Sequence, residues 1–253
     1  MNKLQHLKTA ESEKISHIDY FNIAISVDCV IFGYKDKALK VLICKFKYGK
    51  GLWGLPGGYI LKTEGIDKAA SRILKERTAL DNLYLEQFRV FGDENRIVNS
   101  DSRQMIKSGL TKYNKQLFDA ETTNWITSRF VCIGYYALVD INKVKPQAGE
   151  FEERLEWQNI KDIPKMTYDH NEIVGYALEA LRQGLDQKII GFNLLPQTFT
   201  MKEVQELYEA VYNKPFARNN FQKKILDLNV LERLDKKFTG AQNKAPYLYQ
   251  FKK

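Results

Sequence analysis

The fold is decided by the segment LWGLPGGYILKTE, which runs from Leu52 to Glu64, together with the stretch that follows it to Leu80. Two glycines come directly after Pro56 and predict a tight turn, because glycine reaches backbone angles that are closed to other residues. Apolar residues then recur at helical spacing, at Ile66, Ala69, Ala70, Ile73, Leu74 and Leu80. The predicted order is strand, loop, helix. Such a unit can hold a phosphate or a metal in its loop, or simply pack as a turn of the core.

The polar residues of this segment have a recognisable spacing. Gly58, Glu64, Arg72 and Glu76 occupy the positions of the pattern Gly-x5-Glu-x7-Arg-Glu-aliphatic-x-Glu-Glu-x-Gly-aliphatic, and the segment therefore resembles the Nudix box. The resemblance implies an α/β/α sandwich with a mixed sheet. In that family, acidic residues of the helix hold magnesium against a diphosphate.

The chemistry of the box is incomplete in this chain. The acidic positions of the pattern fall on residues 73, 76 and 77, which share one helix face, but two of them are Ile73 and Arg77. Ala79 also replaces the final glycine. Because magnesium requires several oxygen ligands, we expect the box to serve as a scaffold without catalytic residues, metal or other cofactor.

Composition narrows the class of protein. The chain has 253 residues, 44% of them hydrophobic and 28% charged, which is ordinary for a globular protein. The first twenty residues contain no apolar core for a signal peptide, and no apolar run approaches the ~20 residues of a membrane span. Three isolated cysteines, Cys29, Cys44 and Cys132, favour buried thiols over disulfides or a zinc site. We therefore expect a cytoplasmic protein with no membrane partner.

The order of elements predicts two domains of an α+β fold. Residues 1–20 are polar and predict an N-terminal arm, and residues 21–183 contain the strands and helices expected of a Nudix domain. A polar, lysine-rich segment at about 99–127 predicts a partly helical insertion that could cover a pocket or be mobile.

Two polar features of this domain have alternative interpretations. Asp169 is the natural N-cap of a helix over 171–182, and His170 is either structural or part of a ligand pocket. An acidic cluster precedes the last strand of the domain; it is either a solvated loop or a contact for substrate or metal. Its members are Glu150, Glu152, Glu153 and Glu156.

After a predicted linker at 184–193, the pattern changes. Thr200 caps a helix, a second helix covers Phe216–Leu228, and two short strands flank a basic, glycine-containing hairpin. A helix, a turn, a second helix and a hairpin are the outline of a winged helix-turn-helix domain, which we place at 194–253.

Charge is concentrated in this second domain. Residues 214–253 contain ten cations and three anions, so they carry +7 of the +8 net charge. Arginine, asparagine and glutamine can pair with base edges, and lysines in the hairpin suit phosphates. The alternative is a basic, solvated helical extension. The candidate DNA-binding residues are Arg218, Asn219, Asn220, Gln222, Lys223, Lys224, Lys236, Lys237 and Lys244.

An incomplete Nudix box followed by a winged helix resembles the Nudix-related transcriptional regulators, a family of bacterial repressors. The resemblance implies a sensor domain for ADP-ribose or for a pentose such as arabinose, and homodimers that bind palindromic operators. The candidate ligand-binding residues are Arg72, Arg77, Arg96, Asp169 and His170.

Two functions of different class remain open at this point, and a third possibility is a regulator that retains slow hydrolysis. The favoured one is a ligand-responsive repressor, with a sugar or sugar derivative slightly preferred as effector because the metal ligands are missing. The alternative is an active hydrolase that cleaves ADP-ribose or a related nucleoside diphosphate derivative. In that enzyme Glu64, Glu76 and an acid of the 150–156 cluster would hold magnesium.

Overall fold

The computed structural model describes residues 24–48, 51–81, 83–96, 101–114, 118–149, 151–187, 194–237 and 245–252. The predicted N-terminal arm lies outside these ranges, as do residues 188–193 of the predicted linker and Lys244.

A long hairpin forms the centre of the first domain. Strands β1 (Ile25–Lys35) and β2 (Ala38–Phe46) pair in antiparallel orientation. The turn residues Asp36 and Lys37 have φ angles of 53° and 58°. Two successive residues with positive φ give a turn whose twist matches that of the flanking strands.

Five further strands complete a seven-stranded mixed sheet of order β3-β2-β1-β6-β5, in which β4 pairs with β1 and β7 with β2. Strand β6 lies parallel to β1, with register from Ile25 opposite Val131 to Gly33 opposite Val139. The mixed sheet predicted from the resemblance is confirmed. The five strands are β3 (Trp53–Gly54), β4 (Gly57–Tyr59), β5 (Tyr84–Phe91), β6 (Val131–Val139) and β7 (Glu152–Asn159).

Within the ranges that the structure describes, four helices accompany this sheet: α1 (Ile66–Thr78), α2 (Asp101–Tyr113), α3 (Ala120–Ile126) and α4 (His170–Gln187). Side chains of β1 alternate between the two faces. Val27, Cys29 and Ile31 share a buried cluster with Ile73 and Leu74 of α1. Val30 and Phe32 share another with Ile173 and Ala177 of α4. A helix covers each face, which confirms the predicted α/β/α sandwich.

The predicted insertion is helical and belongs to the packed structure. Ile106 and Leu110 of α2 form a third buried cluster with Phe118 and with Leu52 at the start of the Nudix segment. The N-cap of α3 is Asp119, whose side chain accepts a hydrogen bond from the Thr122 N–H. The insertion therefore lies over the loop that precedes the box.

The second domain is a winged helix, as predicted. Its elements are β8 (Phe199–Thr200), α5 (Met201–Tyr212), α6 (Arg218–Asp227), β9 (Leu231–Lys236) and β10 (Tyr247–Phe251), with a three-stranded sheet of order β8-β10-β9. The predicted cap is present: the Thr200 hydroxyl and the Glu203 carboxylate form a capping box at the start of α5. Phe221 and Ile225 anchor α6 to the domain core.

The linker predicted at 184–193 begins too early, because its first four residues are helical. Helix α4 continues to Gln187, and Leu185 is fully buried. The Tyr208 hydroxyl of α5 donates to the Leu185 carbonyl, and the Tyr212 hydroxyl donates to the Arg182 carbonyl. Residues 184–187 are thus part of an interface between the two domains.

A second contact joins the domains at the turn of the β1–β2 hairpin. The Lys37 ammonium lies 2.9 Å from Glu206 of α5. Burial raises the pKa of the Tyr34 hydroxyl to about 12, and the carboxylates of Glu206, Glu203 and Glu209 act in the same direction. Tyr34 therefore lies beneath the acidic side of α5.

The three cysteines are buried and free, as predicted. Among the residues that the structure describes, no helix combines the length and the apolar character needed to cross a bilayer.

The box helix ends in an unfavourable conformation. Ala79, the C-cap of α1, has φ 59° and ψ 21°, in the left-handed region. This geometry explains the glycine of the family pattern, since a side chain there costs roughly 1–2 kcal/mol. The chain keeps the shape of the box although it lacks the residue best suited to that shape.

Candidate functional site

A cavity of about 280 Å³ opens between the sheet, α1 and the inserted helices. Its lining includes Arg72, Arg77, Arg96 and His170, which are four of the five predicted ligand residues. Asp169 lies instead in a neighbouring cavity of about 650 Å³, which shares Arg96 and Tyr168 with the first. The Nudix box and the insertion thus form a common pocket.

The glycines of the box bring the loop close to its surroundings. Neither has a positive φ, so the predicted need for unusual backbone angles was wrong. A Cβ atom on Gly57 would lie 2.9 Å from the Val27 carbonyl oxygen, and one on Gly58 would lie 3.1 Å from Ile73 Cδ1. Glycine is needed here because the loop packs directly on β1 and α1.

Arg72 is fully engaged by neighbouring oxygens. Its Nε and Nη2 donate to the Glu64 carboxylate at 3.1 and 2.6 Å, and Nη1 donates to Glu76 at 3.2 Å. Hydrogen bonds from Arg72 lower the pKa of Glu64. Arg72 therefore fixes the loop to the helix, and its donors are already used.

Arg77 faces a different carboxylate. Its Nη2 lies 3.1 Å from Oε1 of Glu152, the buried member of the acidic cluster, and its Nη1 lies 3.9 Å from Glu76. Glu152 also accepts a hydrogen bond from the Gly149 N–H. The interpretation of the cluster as a solvated loop is thus wrong for Glu152, whereas Glu153 and Glu156 pair with Arg154 near the surface.

Arg96 belongs to a buried polar network on the pocket floor. Its Nε donates to Asp169 at 2.5 Å, Nη1 donates to the Phe130 carbonyl at 3.2 Å, and Nη2 lies 3.4 Å from Asp28. The predicted N-cap role of Asp169 was therefore wrong: its Oδ2 accepts from Arg96, and its buried Oδ1 has no hydrogen-bond partner among the described residues. Asp169 orients Arg96 rather than capping α4.

His170 joins the same network. Its Nδ1 accepts a hydrogen bond from the Leu55 N–H at 3.0 Å, and its Nε2 lies 3.6 Å from Asp28 Oδ2. Burial lowers the pKa of His170; Asp28 and Asp169 oppose this shift and Arg96 adds to it. The imidazole is therefore neutral. Its hydrogen bond from the Leu55 N–H joins the segment before the box to the start of α4.

An aromatic cluster adjoins the pocket, which two of its rings, Tyr59 and Phe130, line. The Tyr59 ring lies 4.7 Å from that of Trp125 and 5.1 Å from that of Phe130, measured between centroids. Trp125 belongs to the inserted helix α3 and is 47% exposed. Phe130 is buried, whereas the partly exposed rings of Tyr59 and Trp125 beside a polar pocket suit a planar, apolar part of a ligand.

The remaining carboxylates do not fit magnesium. Glu64 and Glu76 are bound to Arg72, and Glu152 to Arg77. Within the described ranges, no three His, Cys, Asp or Glu side chains are grouped closely enough to hold a metal ion. Ile73 is buried behind the loop and offers no ligand atom.

The candidate DNA-binding residues are placed on one helix and one strand end. Arg218, Asn219, Asn220, Lys223 and Lys224 are exposed on α6, while Gln222 is half-buried. Lys236 and Lys237 are exposed at the end of β9, where Lys236 lies over the Tyr247 ring and Lys237 lies 3.7 Å from Glu203. Lys244 falls outside the described residues.

Sequence reasoning missed several residues of the pocket. Asp28, Tyr59 and Tyr168 line it, but none of them belongs to the box spacing. Asp28 carried the strongest available signal, since it is a lone carboxylate within an otherwise apolar strand. Trp125 was included in the insertion without a role.

The position of His170 predicts a pH effect. The unfolded chain binds a proton at this histidine with an ordinary pKa, whereas burial lowers the pKa in the folded chain. The neutral histidine therefore makes its full contribution to the free energy of unfolding above pH ~6.5, and this contribution is lost as the pH falls below that value. Substitution His170→Gln keeps an acceptor for the Leu55 N–H but removes the titration. Urea unfolding at pH 7.5 and 5.5 should show a smaller loss of stability in the variant; equal losses in the two proteins would contradict this account.

Comparison with known proteins identifies a family for each of the two domains. The sequence pattern of the NUDIX domain matches residues 23–177, and that of the NrtR DNA-binding winged helix domain matches residues 191–251. The crystal structure of Shewanella oneidensis NrtR complexed with a 27mer DNA has a TM-score of 0.67 and 25% identity, over 90% of this chain and 93% of that one.

Two relatives are also similar in sequence. The ADPR responsive transcriptional repressor NtrR of Acinetobacter baylyi is 24% identical over 239 residues, which cover 92% of this chain and 84% of the relative. The ADP-ribose pyrophosphatase of Methanocaldococcus jannaschii is 24% identical over 157 residues, which cover 61% of this chain and 73% of the relative. The chain belongs to the Nudix family and carries an NrtR-type DNA-binding winged helix domain at its C-terminal end.

Proposed function

We propose that this protein is a transcriptional repressor that binds operator DNA through α6 and the β9–β10 hairpin and responds to ADP-ribose in the Nudix pocket. One observation carries the proposal: a Nudix domain whose pocket carboxylates are paired to arginines is joined, through Lys37 and the end of α4, to a winged helix whose exposed helix carries Arg218, Asn219, Asn220 and Lys223. Similarity to the Acinetobacter repressor extends over both domains.

ADP-ribose replaces a neutral sugar as the favoured effector. The relative whose similarity spans both domains is named as responsive to ADPR. The pocket offers matching chemistry: arginines for a diphosphate, and the rings of Tyr59 and Phe130, with Trp125 packed beside them, for a base. A pentose would use neither feature fully.

The coupling between the sites runs through the β1–β2 hairpin. Ser26 and Asp28 of β1 line the pocket, and the turn of the same hairpin contacts α5 through Lys37 and Glu206. A ligand that favours one arrangement of the pocket can therefore shift the position of the winged helix.

The DNA site is completed by a second copy of the chain. A single domain of this size presents a short recognition helix, and two copies reading a palindromic operator multiply the affinity. Such a regulator acts in the cytoplasm, where bacterial DNA lies.

Hydrolysis of ADP-ribose is the alternative function. The pyrophosphatase relative favours it, but Ile73 and Arg77 stand where the family places acidic residues, and the remaining carboxylates are paired to arginines. Loss of metal ligands removes several kcal/mol of transition-state stabilisation. Magnesium-dependent turnover that is abolished by Glu76→Gln would establish the hydrolase instead.

Effector binding is tested by thermal unfolding of the full chain with ADP-ribose, arabinose and xylose. At 100 times its dissociation constant, ADP-ribose should stabilise the protein by about 2.7 kcal/mol, and the pentoses should leave the midpoint unchanged. A shift caused by a pentose and not by ADP-ribose would overturn the choice of effector.

DNA binding is tested with substitutions Arg218→Ala and Lys223→Ala, using a duplex selected by the wild-type protein from a random library. An arginine that contacts a base contributes about 1–3 kcal/mol, and a lysine that contacts a phosphate contributes about one unit of the salt slope. We therefore expect Arg218→Ala to weaken specific binding at least fivefold and Lys223→Ala to reduce the salt dependence.

The control is Lys143→Ala, which removes an exposed lysine of the Nudix domain and should bind DNA like the wild type. If all three variants bind alike, α6 is not the recognition helix.

A further inference from the structure

We propose that the Arg77 guanidinium takes the place of the divalent cation in this Nudix box, so that the pocket binds a diphosphate without metal. The inference rests on the proposed function, since ADP-ribose supplies the diphosphate. It assigns Arg77 a role that the family pattern reserves for an acidic residue and its metal ion.

The position of Arg77 is that of a cation surrounded by the surviving acids of the box. It stands one residue after Glu76, on the helix face that turns to the pocket. Its guanidinium lies 3.1 Å from Glu152 and 3.9 Å from Glu76, and its side chain is 14% exposed. The two carboxylates that remain available for a metal therefore already have a positive partner.

Among the three arginines of the pocket, Arg77 retains donor capacity. The three guanidinium nitrogens of Arg72 and those of Arg96 all approach oxygens of the protein. The Nε of Arg77 is buried and has no hydrogen-bond partner among the described residues. An N–H group buried without a partner is costly, and a turn of the guanidinium toward a phosphate oxygen in the pocket would satisfy it.

The chemistry of the group fits a metal-free diphosphate site. A guanidinium stays protonated at any physiological pH and presents its donors in a planar fork that matches phosphate oxygens. A divalent ion placed beside it would be repelled and would find Glu76 and Glu152 already neutralised. The box would thus keep its affinity for a diphosphate while losing the metal that drives hydrolysis.

Glu152 sets the strength of this interaction. It is buried and is held by the Gly149 N–H as well as by Arg77. An incoming phosphate must compete with this carboxylate for the guanidinium. Replacing Glu152 by glutamine keeps an acceptor for Gly149 but removes the competing charge, so it should strengthen binding of the diphosphate.

The test is calorimetric titration of the full chain with ADP-ribose, in EDTA and in magnesium. Wild-type affinity should agree within about twofold between the two conditions. Arg77→Glu should weaken binding in EDTA at least tenfold and should recover affinity when magnesium is added, because it restores an acidic position of the box. Arg77→Gln should weaken binding equally in both conditions.

The matched control is Lys75→Glu, which makes the same charge reversal on the same helix at an exposed position outside the pocket lining. It should bind ADP-ribose like the wild type. Glu152→Gln should bind at least threefold more tightly in EDTA. This variant keeps the proposal testable if circular dichroism shows that Arg77→Glu does not fold.

The outcomes separate this inference from the proposed function. Wild-type binding that requires magnesium overturns the role of Arg77 and leaves ADP-ribose as the effector. Binding in neither condition overturns the choice of ADP-ribose itself. Unchanged metal-free affinity in Arg77→Gln, or weaker binding by Glu152→Gln, also overturns the inference.

Discussion

The pairing of β1 with its neighbours is the constraint on which the rest of this structure depends. In the first domain β1 pairs with β2, β4 and β6, and its parallel register with β6 closes a loop of about a hundred residues. One end of β1 holds Asp28 on the pocket floor, where Cys132, Arg96 and His170 converge on it. The other end turns beneath α5. The strand is rigid because both of its faces are buried, and so it connects the pocket to the winged helix.

A second constraint is the balance of charge in the pocket. Arg72, Arg77 and Arg96 each face at least one carboxylate, so the charges that line the pocket are balanced within the protein. In the proposed complex, an entering phosphate would compete with Glu152 for the Arg77 guanidinium. Such competition would move side chains on α1, and it would give the protein a physical means of distinguishing the bound state from the free one.

The sequence allowed much of the fold to be predicted. The spacing of Gly58, Glu64, Arg72 and Glu76 resembled the Nudix box, and that resemblance implied the sandwich; two helices followed by a hairpin indicated the winged helix, and the charge of the last forty residues supported its binding to DNA. Both predictions succeeded because local patterns determine them: a short motif in one case, a pair of amphipathic helices with a basic hairpin in the other.

The details of the pocket depend on contacts between distant residues, and the sequence could not supply them. Asp169 has the identity and position of an N-cap. Its carboxylate instead accepts a hydrogen bond from the Arg96 side chain, which is 73 residues away in the sequence. Glu152 was grouped with its solvated neighbours because the local sequence does not show that its side chain is buried. The role of Gly57 in a close approach to β1 likewise required the register of the sheet.

The coupling of the two domains is the central claim of this account, and fluorescence anisotropy of a labelled operator duplex tests it most directly. The DNA dissociation constant should be measured without ADP-ribose and with saturating ADP-ribose. The ADP-ribose dissociation constant should be measured with and without DNA. Coupling of 1–3 kcal/mol predicts a change of about 5–150-fold in the first constant and, by linkage, the same factor in the second. If both ligands bind but neither constant changes, the pocket does not control the winged helix and the account is wrong.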